Sequence, residues 1–216
     1  MIKRVLLCLA AVLLSAAFCC CREENRISDP ETGGGIGWPE RSVKENCVEL
    51  LEMTLSHSAP EKYRELLLKP DTSGTFPEGY RWINNAAEPD SELPPSIDYH
   101  MDIDAVSRVI SHAEEMELEI EGGNLYSESY FRGKRCDNCW STIREYRLMA
   151  MMDNNKTYYG YFRISVFIGP DPDESGKYLI YQATDLPAPT AGSGKFPAGV
   201  EDTSLGELKH FYREFP

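Results

Sequence analysis

An α+β fold, with a curved antiparallel sheet wrapped around N-terminal helices, is what the order of patterns in this chain predicts. Apolar residues recur at helical spacing in the first half, at Val43, Cys47, Leu50, Leu51, Thr54 and Leu55, and again at Ile103, Val106, Val109 and Ile110. The period then drops to two, with Met116, Leu118 and Ile120 alternating with Glu117, Glu119 and Glu121. Two long β-branched and aromatic runs follow, separated by the turn signal Asp153-Asn154-Asn155-Lys156. Helices first and hairpin-connected strands afterwards belong to segregated layers, not to alternating βαβ units.

The chain opens on an export signal. Lys3 and Arg4 are followed by the short apolar run Val5 to Leu14, then by Ser15, Ala16 and Ala17, and then by Cys19, Cys20 and Cys21. The run falls short of the roughly 20 residues that a membrane-spanning helix needs. Cysteines at the end of such a segment predict a lipoprotein signal peptide over residues 1–21, with a palmitate-type acyl anchor on the first mature cysteine. Cys20, preceded by the small Cys19, is the expected acylation site. Cys19, preceded by the bulky Phe18, is the alternative, and ordinary cleavage after Ala17 is the competing outcome. Residues 22–39, polar and acidic with Gly33, Gly34 and Gly35, read as a flexible tether. Residues 40–216 read as a single domain, long enough to bury a substantial core.

Within that domain, Ser42-Val43-Lys44-Glu45 predicts a capping box opening the first helix, and Ser58-Ala59-Pro60-Glu61 a second, shorter helix through Leu68. Pro70, Pro77, Pro89, Pro94 and Pro95 mark residues 69–96 as largely loop, with a short strand near Tyr80 to Ile83. A third helix is expected after Asp102, its stripe running to Ala113. Strands are expected at Met116 to Ile120, Trp140 to Met152, Tyr158 to Ile168 and Tyr178 to Ala183. Pro187 to Gly199 reads as loop, and Ser204 to Phe211 as a short closing helix.

Net charge is -13, and loss of Lys3 and Arg4 with the signal takes the mature chain to about -15, which argues against nucleic acid as a partner. Only Cys47, Cys136 and Cys139 remain for the folded domain. Cys47 sits in an apolar helical stripe and reads as a buried thiol. The pair Cys136-x-x-Cys139 leads into a strand, and in an oxidising compartment its expected state is a structural disulfide closing the turn before Trp140. A metal site, a redox pair and free thiols are the alternatives. His57, His100, His112 and His210 are scattered, and no cofactor signature is present. Gly192-Ser193-Gly194-Lys195 lacks both the leading glycine and the hydroxyl residue of a phosphate loop.

The paired helices ending Tyr63-Arg64-Glu65-Leu66-Leu67, followed by Pro70-Asp71, resemble the opening of NTF2-like (SnoaL-like, cystatin-like cone) domains. The last strand, ending Tyr181-Gln182-Ala183-Thr184-Asp185-Leu186, fits the close of that fold. The segments Cys136-Asp137-Asn138-Cys139-Trp140-Ser141-Thr142-Ile143-Arg144-Glu145-Tyr146 and Ser204-Leu205-Gly206-Glu207-Leu208-Lys209 are similar to those of bacterial lipoproteins of this fold. The resemblance spans roughly Ser42 to Phe211 and implies a cone. It implies no particular reaction, since no residue here matches the acid-base pairs that NTF2-like enzymes hold inside the cone.

The strand Trp140 to Met152 does not alternate cleanly. One face carries Trp140, Thr142, Arg144, Tyr146 and Leu148, the other Ile143, Glu145, Arg147 and Met149. Arg144 and Tyr146, with Tyr161 and Arg163 of the next strand, are a candidate carboxylate-binding pocket at the cone's mouth. A salt-bridged sheet face explains the same residues. Taken together, the sequence predicts a non-catalytic, envelope-anchored NTF2-like binding or interaction domain. Its partners would be the lipid bilayer, through the acylated cysteine, and an envelope protein or small-molecule ligand. A lyase or isomerase working through an acid-base pair in the cone is the alternative.

Overall fold

The computed structural model describes residues 36–72, 74–84, 94–187 and 200–214. The expected signal peptide, Cys19, Cys20, Cys21 and nearly all of the tether lie outside these residues, as does most of the expected loop at 187–199. Residues 39–216 group as one compact unit.

Four helices are described: α1 Asn46–Ser56, α2 Pro60–Leu66, α3 Tyr99–His112 and α4 Leu205–Glu214. The capping box expected at Ser42 does not form. Ser42 donates to Glu40 within a turn, Asn46 Nδ2 holds the Glu40 carbonyl, and α1 starts four residues later. Ser58 does not cap α2 either. It closes the previous turn at φ 53°, and Pro60 opens the helix, where a missing N–H costs nothing. α3 begins a turn earlier than its stripe suggests, because Asp98 is the N-cap, accepting from Met101 N at 3.0 Å. That frees Asp102 from the helix start and leaves it buried on the inner side.

The strands are β1 Arg81–Ile83, β2 Ser96–Asp98, β3 Ala113–Ile120, β4 Tyr126–Phe131, β5 Lys134–Met152, β6 Thr157–Pro170, β7 Tyr178–Leu186 and β8 Val200–Asp202. They run in the order β2-β1-β7-β6-β5-β3, with β4 beside β5 and β8 beside β6. The sheet is mixed where an antiparallel one was expected: β1 pairs parallel with β7, and β8 with β6. Both strands arrive through long connections, which free them from hairpin direction. β4 was not foreseen. It is tied to β5 by the two-residue turn Arg132-Gly133, with φ 48° and 75°, the paired positive values a tight hairpin favours.

One sheet face is apolar and packs on the helices. Leu118, Leu148 and Ile164 lie on it with Tyr146, Asp185 and Trp82, all buried. The other face is a ladder of charge, in which Arg147 approaches Glu119 at 3.5 Å and Glu121 at 3.8 Å. No helix among the described residues is long and apolar enough to cross a membrane.

Candidate functional site

Two tyrosine–carboxylate pairs sit on the inner side of the sheet, and the terminal helix α4 is laid across both. In the first, the Tyr63 hydroxyl of α2 donates to Asp102 Oδ2 of α3. Lys209 Nζ of α4 donates to Asp102 Oδ1 at 2.8 Å and to the Tyr63 hydroxyl at 3.2 Å. The same ammonium stands 3.4 Å from the ring centre of Trp82 on β1, a cation–π contact. Lys209 and Asp102 side chains are both 0% exposed.

In the second pair, the Tyr146 hydroxyl donates to Asp185 Oδ1 at 2.8 Å. The start of α4 completes it: Leu205 N donates to Tyr146 Oη at 3.0 Å and Gly206 N to Asp185 Oδ2 at 3.1 Å. First-turn amides have no partner inside their own helix, and a carboxylate there also suits the helix dipole. Ser204 and Glu207 add a reciprocal capping box, with Ser204 N to Glu207 Oε2 at 2.7 Å and Glu207 N to Ser204 Oγ at 3.2 Å.

The electrostatics follow from burial. Desolvation, then the Asp102 charge, holds the Tyr63 and Tyr80 hydroxyls well above the usual tyrosine range; desolvation and Asp185 do the same to Tyr146. Burial raises the Asp185 carboxyl against opposing hydrogen bonds from Ser204, Tyr146 and Gly206 N. Burial lowers the Lys209 ammonium, and Asp102 opposes that shift.

Two atoms here are left over. Trp82 Nε1 and Asn84 Oδ1 are buried without a hydrogen-bond partner among the described residues. Gly206 is required beside them: an added Cβ would lie 2.7 Å from Asn84 Oδ1, 2.9 Å from Asp185 Oδ2 and 3.0 Å from Trp82 Nε1. A side chain at this position cannot be accommodated without moving one of the three.

Chemically, the interior holds the parts of an acid–base site, but both carboxylates are spent on the chain's own α4. As packed, neither Asp102 nor Asp185 reaches a substrate. A concavity of about 300 Å³ lies elsewhere, with Phe76, Tyr181 and Cys136 among its walls and Lys69, Asp71 and Arg135 around it. Among the described residues, no cluster of three or more His, Cys, Asp or Glu could hold a metal ion.

The residues singled out from sequence fare differently. Cys136 and Cys139 are joined in a disulfide with Cα atoms 5.7 Å apart, set in a bulge of β5 with Asn138 at φ 60°, not in a turn ahead of the strand. Cys47 is a free, buried thiol. The four candidate pocket residues do not share a face. Tyr146 opposes Phe162, whereas Tyr161 opposes Arg147 and Arg163 opposes Glu145, so Arg144 and Tyr146 point one way and Tyr161 and Arg163 the other. The cause is the turn: Met152 N bonds Lys156 O at 2.9 Å around a three-residue loop closed by Asn155 at φ 61°, which pairs even positions with even. Arg144 donates to Gly123 O at 3.1 Å, Arg163 to Pro187 O at 3.1 Å, and Tyr161 to Glu145. Of the four, only Tyr146 belongs to the interior site.

Sequence reasoning missed Tyr63, Asp102, Asp185, Trp82 and Lys209. One signal was available. Asp102 lies in the buried stripe Tyr99, Ile103, Val106, Val109, and Lys209 in the stripe Leu205, Leu208, Tyr212. Opposite charges placed in two apolar stripes are expected to meet, since a lone buried charge is far too costly.

No family model matches the sequence, and no curated protein matches it. Solved structures do. An NTF2-like superfamily protein from Salmonella enterica superposes with a TM-score of 0.50 at 10% identity, covering 73% of this chain and 96% of the other. A candidate dehydratase of the NTF2-like family from Streptomyces avermitilis gives 0.50 at 7% identity, with 67% and 92% covered. At such identities the likeness is one of fold. The chain has the NTF2-like α+β cone, with its interior closed by a helix of its own.

Proposed function

We propose that the protein is an envelope-anchored lipoprotein whose NTF2-like domain is a non-catalytic binding module. The occupation of both tyrosine–carboxylate pairs by α4 carries the second half of this reading. Groups that would serve as general acid and base must reach a reacting atom, within about 3 Å or through one water. Here Asp102 is bonded to Tyr63 and Lys209, and Asp185 to Tyr146 and Gly206 N. The anchor rests on the order of charge, apolar run, small residues and cysteines at residues 1–21. A lyase or isomerase is the second reading, favoured by the same two pairs. It requires α4 to withdraw.

Labelling of the full chain with an alkynyl palmitate analogue in a bacterial host tests the anchor. The expected result is a labelled, membrane-associated protein that loses label and membrane association in Cys20→Ala. An unlabelled soluble product starting at Phe18 overturns it.

A further inference from the structure

We propose that the interior of the cone is a binding site for a primary alkylammonium group, and that Lys209 fills it from within in the free protein. This rests on the binding-module reading and names the chemistry of what is bound.

The Lys209 ammonium is recognised on three sides: by Asp102 Oδ1 at 2.8 Å, the Tyr63 hydroxyl at 3.2 Å and the Trp82 ring at 3.4 Å. Carboxylate, hydroxyl and aromatic face together select a compact cation that still donates hydrogen bonds. A quaternary ammonium has no N–H for Asp102, and a planar guanidinium offers a fork in place of a point charge.

The orphaned atoms show that α4 satisfies this site only in part. The indole N–H of Trp82 and Asn84 Oδ1 have no partner among the described residues, although both are buried. The point 2.7 Å from Asn84 Oδ1, 2.9 Å from Asp185 Oδ2 and 3.0 Å from Trp82 Nε1 is at hydrogen-bond distance from all three. Gly206 denies that point to any atom while α4 is docked. Once α4 moves aside, a hydroxyl there accepts from the indole and donates to a carbonyl or carboxylate oxygen. Trp82 joins the two subsites, presenting its ring face to one and its N–H to the other. The favoured ligand is therefore an alkylamine that also bears a hydroxyl. The amine can come from a free small molecule or from a lysine side chain on a protein segment.

α4 competes with any such ligand, so apparent affinity in the intact protein falls with the fraction of molecules whose site is free. Displacement has a direct readout: the Leu205 and Gly206 amides, bonded to Tyr146 Oη and Asp185 Oδ2 in the free protein, become open to hydrogen exchange.

The test uses the full chain and two probes, 5-amino-1-pentanol and an acetylated peptide of the sequence of residues 200–214, with 1-pentanol as control. Hydrogen exchange of these two amides in the isotope-labelled chain is followed by NMR as the unlabelled probe is titrated, and calorimetry compares wild type with Lys209→Ala. A saturable rise in Leu205 and Gly206 amide exchange is expected, with binding roughly tenfold or more tighter in the variant and no effect of 1-pentanol. A response to the aminoalcohol assigns a free amine; a response to the peptide alone assigns a lysine-bearing segment. Protection of the Leu205 and Gly206 amides unchanged by either probe overturns the proposal, and this exchange arm needs no variant to fold. Palmitate labelling is indifferent to the outcome, so the anchor and the ammonium site fail separately.

Discussion

Lys209 and Asp102, 107 positions apart in the chain, share a hydrogen bond of 2.8 Å in which neither side chain is exposed. Removing one member of a buried pair strands the other charge and costs about 3–5 kcal/mol, whereas replacing both with apolar residues of similar volume is often close to neutral. Asp102→Leu and Lys209→Met are each expected to destabilise by about that much, and the double variant to recover most of the loss. Urea unfolding of the four proteins measures it. Additive losses would mean that the two side chains are not coupled.

Gly206 gives a test of how tightly α4 is held. Gly206→Ala drives a methyl to 2.7 Å from Asn84 Oδ1 and 2.9 Å from Asp185 Oδ2. Overpacking of this kind costs about 1–3 kcal/mol. Gly122→Ala, with nothing within 4 Å of the added carbon, is the control and is expected to leave the unfolding midpoint unchanged. Equal midpoints for the two variants would show that the start of α4 gives way freely.

Alkaline pH is expected to unfold the domain cooperatively. Burial holds Tyr63, Tyr80 and Tyr146 well above their ordinary value of 10.0 and pushes the Cys47 thiol from 9.0 to about 12. These groups ionise earlier in the unfolded chain, so the stability they contribute is whole below pH 9 and drains as pH rises through the folded values. Lys209 acts in the opposite sense, gaining stability as pH rises through its lowered value toward 10.5. One lysine against three tyrosines and a thiol leaves the sign negative. Tyrosinate absorbance at 295 nm and far-ultraviolet circular dichroism, followed together above about pH 9, check this. A gradual tyrosine titration with the fold intact would contradict it.

Elements written in local patterns were legible. The stripe of α3 and the runs of β6 and β7 each declare a period within a dozen residues, and their buried faces follow from it; β5 declares a strand but not which of its mixed faces is buried. β4 was missed because Tyr126-Ser127-Glu128-Ser129-Tyr130 has no apolar face to bury; Tyr126 and Tyr130 are exposed. Helix starts slipped where two cap residues compete, as Asp98 does with Asp102. The interior site was the least legible part. Tyr63, Asp102, Asp185 and Lys209 come from four separate elements, and beyond the opposite charges of Asp102 and Lys209 in two apolar stripes nothing within any one of them announces the others.

The closing of the cone by α4 also fixes when the molecule can be finished. Tyr63 waits for Lys209, 146 positions later, and Asp185 for the amide of Gly206. A chain that stops short of Lys209 therefore carries two carboxylates and an indole facing an unfilled hollow. Contacts of such long span form late and slowly. The stretch around Lys209 is the one that seals the interior, so every truncated product short of it exposes the sticky inner surface that the closed domain hides.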